Sequence, residues 1–187
     1  MSRIPPLGEE KAAPAARHLL EEQRKAHGRV TNMKRTLAHS PAALAALMQW
    51  YDLHAEVSDF LGDRPATIFV HAISNQTDCL ICSTFFRRLL IDAGEDPDCL
   101  ALDELEQSLA DYGRQLARDA NLVSDELFAR LSKYLQPRQI VVLTAFGGLM
   151  IATNVFNNAL KVDLDEYLVP YRIQGEMNAA SRSEHGE

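Results

Sequence analysis

Apolar residues along this chain recur at steps of three and four, and no run alternates convincingly at the period of two that a half-buried strand requires. Residues 9–27 are rich in alanine, leucine, glutamate and lysine, and read as a helix that Pro14 interrupts or starts late and Gly28 closes. Ser40 is placed to cap, Pro41 suits a first helical position, and Leu44, Leu47, Met48, Tyr51 and Leu53 roughly keep helical spacing, which predicts one helix over 41–61. After a break at 62–65, Ile68, Phe69, Ala72 and Ile73 predict a shorter helix ending near Asn75. Thr77 or Asp78 is the expected N-cap of the next helix, where Cys79, Cys82, Phe85, Phe86, Leu89 and Leu90 share one face until Gly94. A charged amphipathic helix follows over 102–119. Ser124 then opens a short one with Phe128, Leu131 and Leu135 on its face.

Between Arg138 and Lys161 the chain carries no charge, so a membrane-spanning helix has to be considered. Thr144, Gly147, Gly148, Thr153, Asn154, Asn157 and Asn158 dilute the segment, and its strongly apolar part has the length of a buried core helix, roughly 10 to 14 residues. It is expected to be the central helix of the domain. Gly147 and Gly148 are expected to permit close helix packing. The one β-branched cluster, Ile140, Val141 and Val142, lies inside this helical candidate, so the fold class is all-α. The expected organisation is a helical arm over 1–29, a helical domain over 30–177 and a small, polar, frayed tail over 178–187.

Composition narrows the possible partners. At 187 residues, 47% hydrophobic and 24% charged, the chain fits one ordinary globular domain. Its net charge of −7 disfavours phosphate backbones and anionic lipid, so neither nucleic acid nor a membrane is expected as a partner. Residues 1–8 contain Pro5 and Pro6 and no apolar signal-type run, which gives a cytoplasmic expectation. Three cysteines are too few and too odd in number for a disulfide framework.

Attention therefore falls on Cys79 and Cys82, two thiols three residues apart at a helix start, able to close into a disulfide and reopen. Backbone amides and the positive end of the helix dipole stabilise thiolate there, which makes a nucleophile available near neutral pH. A zinc site would need a second close pair or a spaced pair of histidines. Cys99 stands alone and the six histidines are scattered, so no metal and no cofactor is expected. Inert packing of the pair is the alternative, since Cys82 shares a face with Phe86 and Leu89.

Three regions together resemble the carboxymuconolactone decarboxylase and alkyl hydroperoxidase D superfamily. They are Thr31-Asn32-Met33-Lys34-Arg35-Thr36-Leu37-Ala38-His39-Ser40-Pro41 before a helix, residues 75–90 around the cysteines, and residues 154–165 at the end of the long helix. The resemblance implies an all-α fold assembled as a trimer or hexamer, with the cysteine pair at a helix start in a buried pocket. In the redox-active branch the motif is E-x11-C-x-x-C-x-x-x-H, whose glutamate and histidine relay protons to the thiols. This chain matches the thiols and places Thr67 and Phe86 at the two relay positions, neither of which can accept and return a proton in that way.

His71, one turn beyond Thr67, is the candidate replacement base. His54, Glu56 and Asp59 are weaker candidates for the same cavity. Arg87 and Arg88 are solvated by default or, alternatively, stabilise a thiolate, and Asn154 and Asn158 are expected to cap or to bond between helices. What the resemblance implies for function is a thiol–disulfide redox protein. Cys82 attacks a hydroperoxide or other small substrate, Cys79 resolves the sulfenic acid, and a dithiol reductant restores the pair, whereas helix geometry by itself favours the more N-terminal Cys79 as the nucleophile. The competing expectations are a relay-deficient helical scaffold or binding protein, and a lactone decarboxylase-like enzyme. A homo-oligomer is expected in each case, because the apolar segments at 41–61 and 140–160 exceed what so few other helices can cover.

Overall fold

Among residues 2–173, which the computed structural model describes, the chain forms nine α-helices and no strand. They are α1 (Pro14–His27), α2 (Asn32–Leu37), α3 (Pro41–Met48), α4 (Trp50–Leu61), α5 (Asp63–Gln76), α6 (Leu80–Asp92), α7 (Glu104–Asp119), α8 (Asp125–Ser132) and α9 (Pro137–Leu160), with short 3₁₀ turns at Glu9–Lys11, Ala120–Leu122 and Glu166–Tyr171. The expected tail over 178–187 lies outside the described residues.

The helix ends follow from their side chains. Thr31, Ser40 and Ser124 accept the backbone N–H groups of Lys34, Ala43 and Leu127, and Asp103 and Glu106 cap α7 reciprocally. Pro14 is the first residue of α1, so it starts that helix and does not interrupt it. Gly28, at φ 75°, ends it.

Several expectations need correction. The helix over 41–61 is two helices parted at Gln49, because its halves serve different cores. Leu44 and Met48 of α3 join Leu20 and Leu37, whereas Trp50, Leu53 and Val57 of α4 join the main core with Phe69 and Phe146. The break at 62–65 is Gly62 alone, at φ 83°. Asp63, Arg64 and Pro65 form the first turn of α5, where a proline removes no helical hydrogen bond. α2 was not anticipated as a helix; six residues are too few to display a period. On α8 the inward residues are Leu127 and Leu131, while Phe128 is 47% exposed.

The most enclosed helix is α5, buried at every position over 66–74, and not α9. α4, α6, α7 and α9 surround it. α9 is long and apolar enough to cross a membrane, with a mean hydropathy of 1.7 over its best window. Its inner residues Leu143, Phe146 and Met150 are nonetheless built into the main core, while Val141, Gly148 and Val155 face outward. Of the two expected packing glycines only Gly147 serves that purpose, since a Cβ there would lie 2.9 Å from Phe69 Cζ, whereas one on Gly148 would meet nothing within 4 Å. A tighter approach occurs at Gly113 of α7, where a Cβ would lie 2.7 Å from the Phe69 carbonyl oxygen. The N-terminal segment is tied down over this bundle: α1 buries Ala16 and Leu20, and Arg3 bonds the end of α9 at Ala159 and Leu160.

Candidate functional site

The turn that ends α5 delivers the first cysteine. Asp78 adopts a left-handed conformation (φ 50°), its N–H bonds the Asn75 carbonyl at 3.1 Å, and the Cys79 N–H bonds the Ser74 carbonyl at 3.0 Å. This is a Schellman closure with aspartate where glycine is usual. Cys79 is thereby the first extended residue and itself the N-cap of α6, replacing the expected Thr77 or Asp78. Thr77 belongs to the end of α5, and α9 holds it in place. Asn154 Nδ2 donates to Thr77 Oγ1 and Asn158 Nδ2 to the Thr77 carbonyl, both at 2.8 Å, so these asparagines bond between helices of the same chain.

Cys82 lies one helical turn further on. Both thiols are free, with Cys79 1% and Cys82 6% exposed. Asn157, unremarked as a site residue in the sequence, aims Nδ2 at the pair, 3.3 Å from Cys82 Sγ and 3.9 Å from Cys79 Sγ, and also contacts Met33 Sδ at 3.6 Å. The Cys82 thiol hydrogen-bonds to the Cys79 sulfur. That bond, with the amides of Cys82, Asn157 and Ile81, holds the Cys79 pKa below the usual thiol value despite burial. Cys82, the donor in this bond and buried, is pushed well up. The bond between the two sulfurs, at the positive end of the helix, thus favours thiolate at Cys79 over thiolate at Cys82.

Cys82, unlike Cys79, lines a cavity of about 90 Å³. Its walls include Trp50 and Tyr51 of α4, Phe85 and Phe86 of α6, Met150 of α9 and Tyr167 of the last 3₁₀ turn. A lysine and an aspartate share this lining. Lys34 of α2 is only 2% exposed, and its ammonium lies over the Tyr51 ring at 4.8 Å from the centroid, with burial lowering its pKa to about 8 against the opposing pull of Asp165. Asp165 accepts the Asn32 N–H at 2.9 Å through Oδ1, and burial raises its pKa. The same desolvation pushes Tyr51 up to about 12.

The structure brings Cys79 and Cys82 together but not His71. That residue lines a different depression between α5 and the 97–100 segment, where Asn75 lies 3.3 Å from its Nε2 and burial, then Arg87, lowers its pKa to about 4. Of the weaker candidates, His54 stacks on Trp50 at 4.9 Å and lies outside the cavity lining, and Glu56 pairs with Arg138. Arg87 is bound to Asp98 at 2.6 Å, whereas Arg88 reaches the cavity margin, 5.4 Å from the Tyr167 ring. Thr67 is buried on α5, and Phe86 is part of the cavity wall. Among the described residues no group of three or more histidines, cysteines or carboxylates is placed to hold a metal ion.

No family model and no curated protein matches this sequence. Solved structures do. A peroxidase-related protein with an alkylhydroperoxidase AhpD core from Ralstonia eutropha JMP134 superposes with a TM-score of 0.70 at 18% identity, covering 89% of this chain and 94% of that one. The debrominase Bmp8, as a cysteine-to-alanine variant in complex with 2,3,4-tribromopyrrole, superposes with a TM-score of 0.72 at 13% identity, covering 90% and 94%. A peroxidase-related protein from Silicibacter sp. TM1040 superposes with a TM-score of 0.67 at 16% identity, covering 88% and 94%. The fold is therefore all-helical and alkylhydroperoxidase D-like.

Proposed function

We propose that this chain is a thiol–disulfide redox protein that reduces a small electrophile, an organic hydroperoxide in the first instance, at Cys82. The observation that carries the reading is the reduced, hydrogen-bonded pair at the start of α6, of which Cys82 alone opens into the apolar cavity. Access and charge divide the roles. The Cys79 thiolate takes the Cys82 proton through their hydrogen bond, and the Cys82 thiolate so formed attacks the outer peroxide oxygen. The S–O bond forms as the O–O bond breaks, and the departing alkoxide recovers the proton held by Cys79. The Cys79 thiolate then attacks the sulfenic sulfur, closing the disulfide and expelling hydroxide, which is protonated to water. An external dithiol returns the pair to its starting state, as a reducing, cytoplasmic setting would provide.

The test is a substoichiometric addition of cumene hydroperoxide to the fully reduced protein, with peptide mapping of the thiols. The expected result is one Cys79–Cys82 disulfide per peroxide consumed, lost in Cys82→Ser. Oxidation no faster than that of free cysteine would favour the relay-deficient scaffold.

A second reading is reductive dehalogenation, in which the same two thiols supply two electrons and halide leaves. The aromatic walls from Trp50, Tyr51, Phe85, Phe86 and Tyr167 favour a flat ring beside Cys82, and the likeness to the debrominase Bmp8 points the same way. Halide release from a brominated pyrrole in the presence of dithiol distinguishes it.

A further inference from the structure

We propose that the Cys82 cavity takes its ligand as an anion, a small apolar molecule bearing an ionised carboxylate or a comparably acidic group, which Lys34 binds while the reducible end faces Cys82. The binding itself is independent of the thiol reading; only the fate of the reducible end rests on it.

The polar groups around the cavity are incompletely paired. Lys34 is 98% buried by its 2% exposure, yet its ammonium makes no hydrogen bond or ion pair to any described residue. An ammonium taken out of water without such a partner is strongly disfavoured, and proteins ordinarily pair it or neutralise it. The nearest carboxylate, Asp165, is not in ion-pair contact: one oxygen is committed to the Asn32 N–H, and Oδ2 is buried without a partner. The Tyr51 ring face attracts the cation but supplies no lone pair. Trp50, on the same lining, also keeps a buried indole N–H without an acceptor. Trp50 Nε1 therefore lacks an acceptor within the protein, the Lys34 ammonium has only the Tyr51 ring and the cavity before it, and an anionic group in the cavity supplies both with one.

Charge around the cavity agrees. Tyr167 is flanked by two guanidinium groups, Arg29 at 3.9 Å and Arg88 at 5.4 Å from its ring centroid. With Lys34 this makes three cations against two carboxylates, Asp165 and the Asp92 that pairs with Arg88 at 3.9 Å, on a chain whose net charge is −7. A local positive region on an acidic protein attracts small anions selectively while the remaining surface repels them.

Trp50 is the sole tryptophan and lines this cavity, so its fluorescence reports occupancy directly. The probes are benzoate and benzyl alcohol, alike in size and different in charge. The native protein is expected to bind benzoate at least tenfold more tightly than benzyl alcohol, and Lys34→Met to remove that preference while still binding both weakly. Equal binding of the two by the native protein, no binding of benzoate, or a preference retained in Lys34→Met would each overturn the proposal.

A measurement without a Lys34 variant guards against misfolding. In Cys79→Ser/Cys82→Ser protein, where no site thiol titrates, benzoate affinity is expected to fall about tenfold from pH 7 to pH 9 as the ammonium loses its proton. The other groups around Lys34 hold their charge over that range. Burial lowers His27 and His54, which stay neutral, and raises Tyr51 and Tyr167, which stay protonated; the remaining charged neighbours are Asp165, Arg29, Arg35 and Arg88. A flat profile would overturn the proposal. The outcomes separate from those of the redox test: disulfide formation with cumene hydroperoxide but no benzoate binding leaves the thiol chemistry standing and removes the anion, and the reverse removes the chemistry alone.

Discussion

Lys34 is held at an energetic disadvantage that a stability measurement can read. Its folded pKa of about 8 lies below the ordinary lysine value of 10.5, so between these two pH values the unfolded chain binds more protons than the folded one. Stability from this residue therefore rises as pH goes from 8 to 10.5, and below pH 8 the full penalty is present. Each pKa unit corresponds to about 1.4 kcal/mol, and after allowance for relaxation and water the penalty at neutral pH is about 2 kcal/mol. Lys34→Met is expected to raise the melting temperature at pH 7 by about 5 °C, with the advantage vanishing near pH 10.5. A variant no more stable than the native protein at pH 7, or a difference independent of pH, contradicts this. The residue was legible in principle. Lys34 sits in a short stretch whose apolar neighbours Val30, Leu37 and Ala38 are all buried, and a lysine among buried apolar positions is a signal in itself. Asp165 was not legible, because nothing local brings a carboxylate more than a hundred residues away onto the end of α2. His71 shows the converse failure: it lies one turn beyond Thr67 on α5, but its side chain lines a separate depression and not the Cys82 cavity.

At the scale of elements, the site depends on how closely α5 is gripped. α7 approaches at Gly113, where the missing side chain leaves room for the Phe69 carbonyl and for Ile73. Gly113→Ala gains helix propensity of about 1 kcal/mol but drives a methyl group into main-chain atoms. The expected net loss is about 2 kcal/mol in a denaturant titration, and a stabilised variant would show that α7 can shift outward freely. Spacing correctly identified the cysteine helix and the amphipathic character of α7, because both present long apolar faces. It misassigned the cap of α6, since the left-handed Asp78 depends on the Schellman bonds to Ser74 and Asn75 and on the Asn154 and Asn158 clamp from α9. It also joined α3 to α4, because one period runs through Gln49 while the two halves turn to separate cores.

For the whole molecule, the outward face of α9 is the surface on which we expect a second copy to pack. No charge occurs over 139–160, and Val141 and Val155 are 68% and 59% exposed on the same face as Gly148 and Ala152. The fourteen residue steps from Val141 to Val155, at about 1.5 Å each, make this an uncharged stripe about 21 Å long. The adjoining Phe128 and Pro137, which line a surface groove with Val141, widen it. A monomer would leave this surface in water, while a second copy presenting the same stripe covers it with small side chains that allow close approach. The expected result is a light-scattering mass that is a multiple of 20.9 kDa, reduced to 20.9 kDa by Val141→Arg/Val155→Arg. A native protein at 20.9 kDa would remove the assembly and, with it, the explanation for an apolar helix face that the main core does not use. The cysteine cavity predicts the outcome for the charged variant in one further respect. Its walls come from α2, α4, α6 and the inner side of α9, so dissociation by changes on the outer side should leave benzoate binding at Trp50 in place.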